Sequence, residues 1–193
     1  IVSDAFEPGS VFKLVGMSAA LEEGVVKPDS VCQKCEGQRQ IADFTIRTWN
    51  NKYYPKSQVT DIIVHSNNVG MVWITEKLGI SKFLRYLKRF QLGEATGIDL
   101  QEEAVPSVRK ETDWKQIDLA VASFGQGIAV TQIKIAQIVA AIANGGKLLK
   151  PYVVEKITDG QNEFVVKPKV LGEPISEKTA SVLTEMMVKA VEA

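Results

Sequence analysis

Apolar and polar positions along the chain fall mostly into helix-sized blocks separated by short polar breaks. Residues 11–21 are apolar and rich in helix formers, with Lys13 the only charge among them and Gly24 placed to stop the run. In front of them Glu7-Pro8-Gly9-Ser10 reads as a breaker followed by a helix start, with Ser10 at or near the N-cap. Residues 25–56 mix polar and aromatic positions with turn signals and predict loops with short strands. A helical pattern resumes at Thr60, is interrupted by His65-Ser66-Asn67-Asn68, and continues as an amphipathic helix over 69–78 closed by Gly79. Ser81 is placed to cap a further helix to about Phe90, with Phe83, Leu84 and Leu87 at core spacing. After a turn-rich stretch over 93–111, residues 131–144 form a strongly apolar helix that ends in Asn144-Gly145-Gly146. Two β-like runs, 152–157 and 163–167, flank Asp159-Gly160 and predict a hairpin. Ser176 then caps a last helix to the C-terminus. With no internal repeat and no low-complexity linker, the pattern predicts one helix-rich α/β domain.

Composition narrows what such a domain does. The 193 residues are 45% hydrophobic and 24% charged, an ordinary globular balance. Lys plus Arg and Asp plus Glu number 23 each, so no field of one sign draws the chain to nucleic acid or to an anionic membrane. No apolar run approaches the ~20 residues that span a bilayer. The chain opens on Ile1-Val2-Ser3-Asp4 in what reads as mid-domain sequence. We therefore expect a piece of a longer protein, in which the lack of a leader says nothing of location. Cys32 and Cys35 are the only cysteines, spaced Cys-x-x-Cys. Their polar, turn-like setting favours a bland surface pair, and a local disulfide or a metal or redox site is the alternative.

Chemistry enters through Ser-x-x-Lys. Eleven serines in a lysine-rich chain produce such a match about once by chance, and the chain holds two, Ser10/Lys13 and Ser107/Lys110. Context separates them. The three-residue step places Lys13 one turn from Ser10 on one face of an apolar helix, within reach of the hydroxyl. Burial beside Val11, Phe12 and Leu14 and the positive end of the helix both disfavour the ammonium, leaving an amine able to take the serine proton. The Ser10 amide at the helix start is also placed to donate to an oxyanion. The competing reading of the pair is an N-cap with a snorkelling lysine. Ser107 sits in charged Val108-Arg109-Lys110-Glu111 with no apolar helix after it, and is taken as the chance match. Ser66-Asn67-Asn68 puts a hydroxyl and an amide on a break between helices. Ser66 is placed to pass a proton to a leaving amine, and Asn68 to hold a substrate peptide amide through its donor and acceptor. An ordinary capping cluster is the alternative there, and His65, with no Asp or Cys partner, reads as structural or surface.

Together these residues resemble the penicillin-binding protein transpeptidases, the class B branch in particular. Phe6-Glu7-Pro8-Gly9-Ser10-Val11-Phe12-Lys13 is similar to the nucleophile motif with its lead-in, and Ser66-Asn67-Asn68 to the second, Ser-x-Asn motif. Thr96-Gly97-Ile98-Asp99-Leu100, Ser123-Phe124-Gly125-Gln126-Gly127 with Val130-Thr131, and Ala143-Asn144-Gly145-Gly146 follow in the family's order over nearly the whole chain. The resemblance implies a transpeptidase/β-lactamase-like α/β domain, a helix-rich subdomain packed on an antiparallel sheet, with residues 1–193 a part of it. It implies that Ser10 attacks the D-Ala-D-Ala bond of a peptidoglycan stem peptide, releases D-Ala, and passes the acyl group to a neighbouring stem. β-Lactams would acylate the same serine, no cofactor or metal is implied, and other cell-wall synthesis or division proteins would be partners. The expected location is the extracytoplasmic face of the bacterial cytoplasmic membrane, held by an N-terminal anchor outside this chain.

The sequence departs from the family at one point. The third motif, Lys-Thr-Gly or Lys-Ser-Gly on an edge strand, occurs nowhere in it, since Gly146-Lys147-Leu148 and Glu177-Lys178-Thr179-Ala180 do not supply the tripeptide. Truncation at both ends is the expected cause, and the chain by itself is expected to be a poor catalyst. The rival readings are a serine β-lactamase, which lacks here a Glu motif to activate a deacylating water, and a non-catalytic β-lactam sensor or scaffold.

Overall fold

A computed structural model describes residues 1–193. Its centre is α1 (Lys13–Glu22), continuous with a 3-10 turn over Gly9–Phe12. Residues Lys13 through Ala20 are all buried, so this helix is covered on every side, as a helix apolar all round must be. Small residues permit that coverage. A Cβ on Gly16 would lie 3.3 Å from both Met71 and Thr75, so α3 (Asn68–Leu78) approaches the α1 backbone closely there. Around this pair stand α2 (Val59–Val64), α4 (Ile80–Arg89), α5 (Gln116–Ala122), α6 (Gln132–Ala143) and α7 (Glu177–Glu192). The main core holds 33 buried residues and runs from Phe12 and Val15 through Met71, Ile74 and Phe83 to Leu183 and Met186.

The strands form four two-stranded antiparallel ladders. β1 (Ala5–Phe6) pairs with β4 (Val130–Thr131), β2 (Arg39–Ile41) with β3 (Phe44–Ile46), β5 (Leu148–Leu149) with β8 (Val170–Gly172), and β6 (Lys156–Thr158) with β7 (Glu163–Val165). The fold is thus the expected helix-rich α/β arrangement, with its antiparallel pairing divided among separate ladders rather than one sheet beneath the helices. The expected hairpin is β6–β7, but it starts late. The amides of Val153 and Val154 donate to the Asp99 carboxylate (2.7 and 2.9 Å), which takes this segment out of strand pairing.

Three local expectations change. Ser81 does not cap α4: Gly79, at φ +83°, precedes its first residue, and the Ser81 hydroxyl bonds the Glu111 carboxylate instead. Helix α5, which the pattern did not announce, starts where the Asp118 carboxylate accepts from the Lys115 amide at 2.8 Å. Cys32 and Cys35 are not a surface pair. They form a disulfide with both residues buried, so neither sulfur is left as a thiolate to bind metal. Ser176 caps α7 as expected, accepting from the Thr179 amide at 3.3 Å.

Candidate active site

The lead-in to Ser10 is held from behind by the 123–131 segment. β1 pairs with β4, the Glu7 carboxylate accepts from the Gly127 amide at 2.8 Å, and the Gly9 amide donates to the Gly125 carbonyl at 3.0 Å. Gly9 and Gly125 both have positive φ, +59° and +81°. A Cβ on Gly125 would fall 2.0 Å from the Gly9 carbonyl oxygen, so this approach demands glycine. The Ser-Phe-Gly-Gln-Gly stretch therefore sets the position of the 3-10 turn on which Ser10 rides.

Ser10 is not an N-cap. Its turn starts after Pro8, no side chain caps either the turn or α1, and α1 begins only at Lys13. The Ser10 hydroxyl is instead committed sideways. Lys13 Nζ lies 3.1 Å from Ser10 Oγ and 2.8 Å from Ser66 Oγ, and the two hydroxyl oxygens are 3.0 Å apart. The amine also donates to the Ser66 carbonyl at 2.7 Å. These contacts satisfy a neutral amine completely: it donates two protons to Ser66 and accepts the Ser10 proton on its lone pair. They equally satisfy the ammonium, whose three protons then go to Ser10 Oγ, Ser66 Oγ and the Ser66 carbonyl.

Lys13 is only 2% exposed. Burial brings its pKa down from 10.5 to about 8, because no carboxylate compensates the charge. About one molecule in ten then carries the neutral amine at pH 7.

Ser66 reaches this amine through an unusual backbone. It has φ +49°, a left-handed conformation that costs a serine of order 1 kcal/mol. The turn is fixed on both flanks. The Ser66 amide donates to the Ile63 carbonyl and the Asn67 amide to the Ile62 carbonyl, while Asn67 Oδ1 caps α3 by accepting from the Gly70 amide at 3.0 Å. Ser66 thus belongs to neither helix. The capping is done by Asn67, which frees Ser66 and Asn68 from it.

Asn68, expected to offer a donor and an acceptor, has one of its two N–H donors already engaged. Its Nδ2 bonds the Arg47 carbonyl at 3.1 Å, a consequence of the 44–54 loop folding over the start of α3. Its Oδ1 has no partner in the chain. Ser107 lies exposed in irregular chain, with no helix or lysine organised around it.

Ser10 and Ser66 open onto a cleft of about 410 Å³ that also touches Trp49, Asn50, Tyr54, Val64 and His65. None of its seven lining residues carries a carboxylate. The His65 ring stacks on Tyr54, with centroids 4.0 Å apart, and its carbonyl accepts from Trp49 Nε1 at 3.3 Å. Trp49 and Tyr54 were not legible as site residues, because only the long-range fold of the loop onto residues 65–68 brings them there.

A serine, a buried amine and a second serine thus form a closed triangle on a helix start beneath a helix-to-helix break, in which each hydroxyl proton has the amine beside it. The chain belongs to the penicillin-binding protein transpeptidase domain family, which matches residues 1–193. It is 35% identical over 200 residues to a peptidoglycan D,D-transpeptidase FtsI homolog of Mesostigma viride, covering 96% of this chain and 33% of that one. To the stage V sporulation protein D of Bacillus subtilis it is 34% identical over 184 residues, covering 93% of this chain and 28% of the relative. The chain thus spans a third or less of these relatives. Among solved structures, penicillin-binding protein 3 of Mycobacterium tuberculosis complexed with aztreonam superposes with a TM-score of 0.86 at 29% identity, covering 96% of this chain and 41% of that chain. The D,D-transpeptidase domain of an Eggerthella lenta peptidoglycan glycosyltransferase shares the fold, with a TM-score of 0.92 at 22% identity over 99% of this chain and 50% of that one.

Proposed function

We propose that this chain is part of the transpeptidase domain of a peptidoglycan D,D-transpeptidase, acting through a serine acyl-enzyme. The observation that carries the reading is the closed triangle of Ser10, Lys13 and Ser66. Neutral Lys13 takes the Ser10 proton as Oγ attacks the carbonyl of the penultimate D-Ala. The Ser10 amide, among the first of its turn where no partner within the turn exists, donates to the oxyanion. As the C–N bond breaks, Ser66 gives its proton to the leaving D-Ala amine and recovers one from the Lys13 ammonium. The acceptor amine of a second stem then attacks the ester by the reverse relay. Asn68 Oδ1 accepts from an amide N–H of the bound peptide.

Apart from the Lys13 relay, no carboxylate base in the cleft stands ready to activate a deacylating water, which favours transfer to an amine over hydrolysis. The same serine takes β-lactams, as the complexes of penicillin-binding protein 3 with aztreonam and with ampicillin suggest by similarity. The Cys32–Cys35 disulfide supports an oxidising, extracytoplasmic location, with the membrane anchor supplied outside these residues. None of the helices is long and apolar enough to cross a membrane. Other cell-wall synthesis or division proteins would be its partners.

The test is an exchange reaction. The full-length protein is incubated with a synthetic peptide ending in D-Ala-D-Ala and a labelled D-amino acid. The expected product carries the labelled residue in place of the terminal D-Ala. Hydrolysis without exchange, or deacylation of a bound penicillin within seconds, would instead place the protein with the β-lactamases.

A further inference from the structure

The β6–β7 hairpin has one hydrogen-bonding edge that the fold leaves open. Its register sets Lys156 opposite Val165, Ile157 opposite Phe164 and Thr158 opposite Glu163. The Asp159 amide donates to the Asn162 carbonyl, and the Val166 amide to the Glu155 carbonyl. Bonded and unbonded pairs alternate along an antiparallel ladder, so residues 162, 164 and 166 turn their backbone groups towards β6. Glu163, Val165 and Lys167 turn theirs outward, where no strand pairs with β7. The side chains are uncovered as well, with Ile157 59% and Phe164 65% exposed and Val165 and Lys167 also in solvent. A two-stranded apolar ribbon of this kind is a template for a further strand.

We propose that this edge pairs with the same edge of a second copy of the chain, antiparallel about a two-fold axis through Val165. Three features select that occupant. Centred on Val165, the pairing sets 165 opposite 165 and 163 opposite 167, so the outward backbone groups of all three residues in each copy find partners. The same register brings Glu163 of each copy against Lys167 of the other, an opposite-charge pair on both sides of the axis. On the other face Phe164 of each copy meets Val166 of the other at a pair without hydrogen bonds, where side chains lie closest. Glu163-Phe164-Val165-Val166-Lys167 is therefore complementary to itself when reversed. So short a seam buries far less than a permanent dimer does, so the contact is reversible and acts between copies held near one another.

The experiment is cysteine cross-linking of the full-length protein under mild oxidation, read as covalent dimer on a non-reducing gel. In Val165→Cys the two thiols face each other across the axis, at a Cα separation of about 5.5 Å that a disulfide spans. Thr158→Cys, on the far strand of the same hairpin, is the collision control and should give little dimer. Adding Glu163→Lys or Lys167→Glu to Val165→Cys should lower the yield about fivefold, the effect of two opposed like charges. Lys167→Glu is the cleaner of the two, because Glu163 also pairs with Lys156 of its own hairpin at 3.1 Å. Both charge changes in one chain, or a mixture of the two single-charge variants, should restore the dimer. Equal yields from Val165→Cys and Thr158→Cys would overturn the pairing. So would a loss that the combined charge changes do not restore, in variants whose melting temperature shows the fold intact.

Discussion

Every proton that leaves Ser10, Lys13 or Ser66 has a neighbour within 3.1 Å to receive it. In the proposed reaction the rate follows how often Lys13 is neutral. Its pKa of about 8 results from burial, which disfavours the ammonium. Acylation by benzylpenicillin should therefore rise with pH, roughly tenfold from pH 7 to a plateau above 9, with its inflection near 8. Stopped-flow acylation across that range checks this, and a rate independent of pH from 6 to 9 would remove Lys13 as the base. In Lys13→Met the rate should fall by at least about a hundredfold. At this scale the sequence was informative where contacts are local. The three-residue step from Ser10 to Lys13 is a helix-turn distance, and an unbroken apolar surrounding already implied a buried amine. Ser66 was legible as a break between helices. The use of the Asn68 donor and the arrival of Trp49 were not, since both depend on a loop that lies nearby only in the folded chain.

Among the elements, the turn that carries Ser10 depends on a segment more than 110 residues away in sequence, through Gly9–Gly125 and Glu7–Gly127. Gly125→Ala meets both a positive φ and a backbone oxygen, so it should cost ~3 kcal/mol or more and lower the melting temperature by about 8 °C, as read by calorimetry. A variant melting within a degree of the native protein would show that this apposition is not rigid. The Cys32–Cys35 disulfide closes so small a ring that chain entropy gives it only ~2 kcal/mol. Cys32→Ala/Cys35→Ala should therefore lower the urea midpoint modestly without abolishing folding. Helix boundaries were readable where a side chain caps a run, as at Thr131 and Ser176. A cap and a strand start were misread where a carboxylate elsewhere competes, as Glu111 does for Ser81 and Asp99 for residues 153–154. The disulfide looked like surface sequence because its neighbours are polar, although the two sulfurs themselves are buried.

For the molecule as a whole, two buried lysines leave a common signature. Lys134, bonded to Gln137 at 2.9 Å, is also brought by burial to about 8, partly opposed by Glu103 and Glu94. Below pH 8 both lysines are charged whether the chain is folded or not, and the burial penalty is fully felt. Between about 8 and 10 the folded chain has released protons that the unfolded chain still holds, so stability should rise with pH. Tyr86, pushed up to about 12, reverses this trend only above pH 10. The urea midpoint should be higher at pH 9.5 than at 7.5, and the difference should shrink in Lys134→Met. A midpoint that falls with pH would contradict the burial of both amines. The α/β class was readable from helix-sized apolar blocks, whereas the division of the strands into four ladders is a matter of long-range pairing. The claim that organises all of this is that Ser10 is the atom that becomes acylated. Intact mass after incubation of the full-length protein with benzylpenicillin tests it most directly. The native protein should gain one penicillin and Ser10→Ala none, whereas equal labelling of both, or no labelling of either, would contradict it.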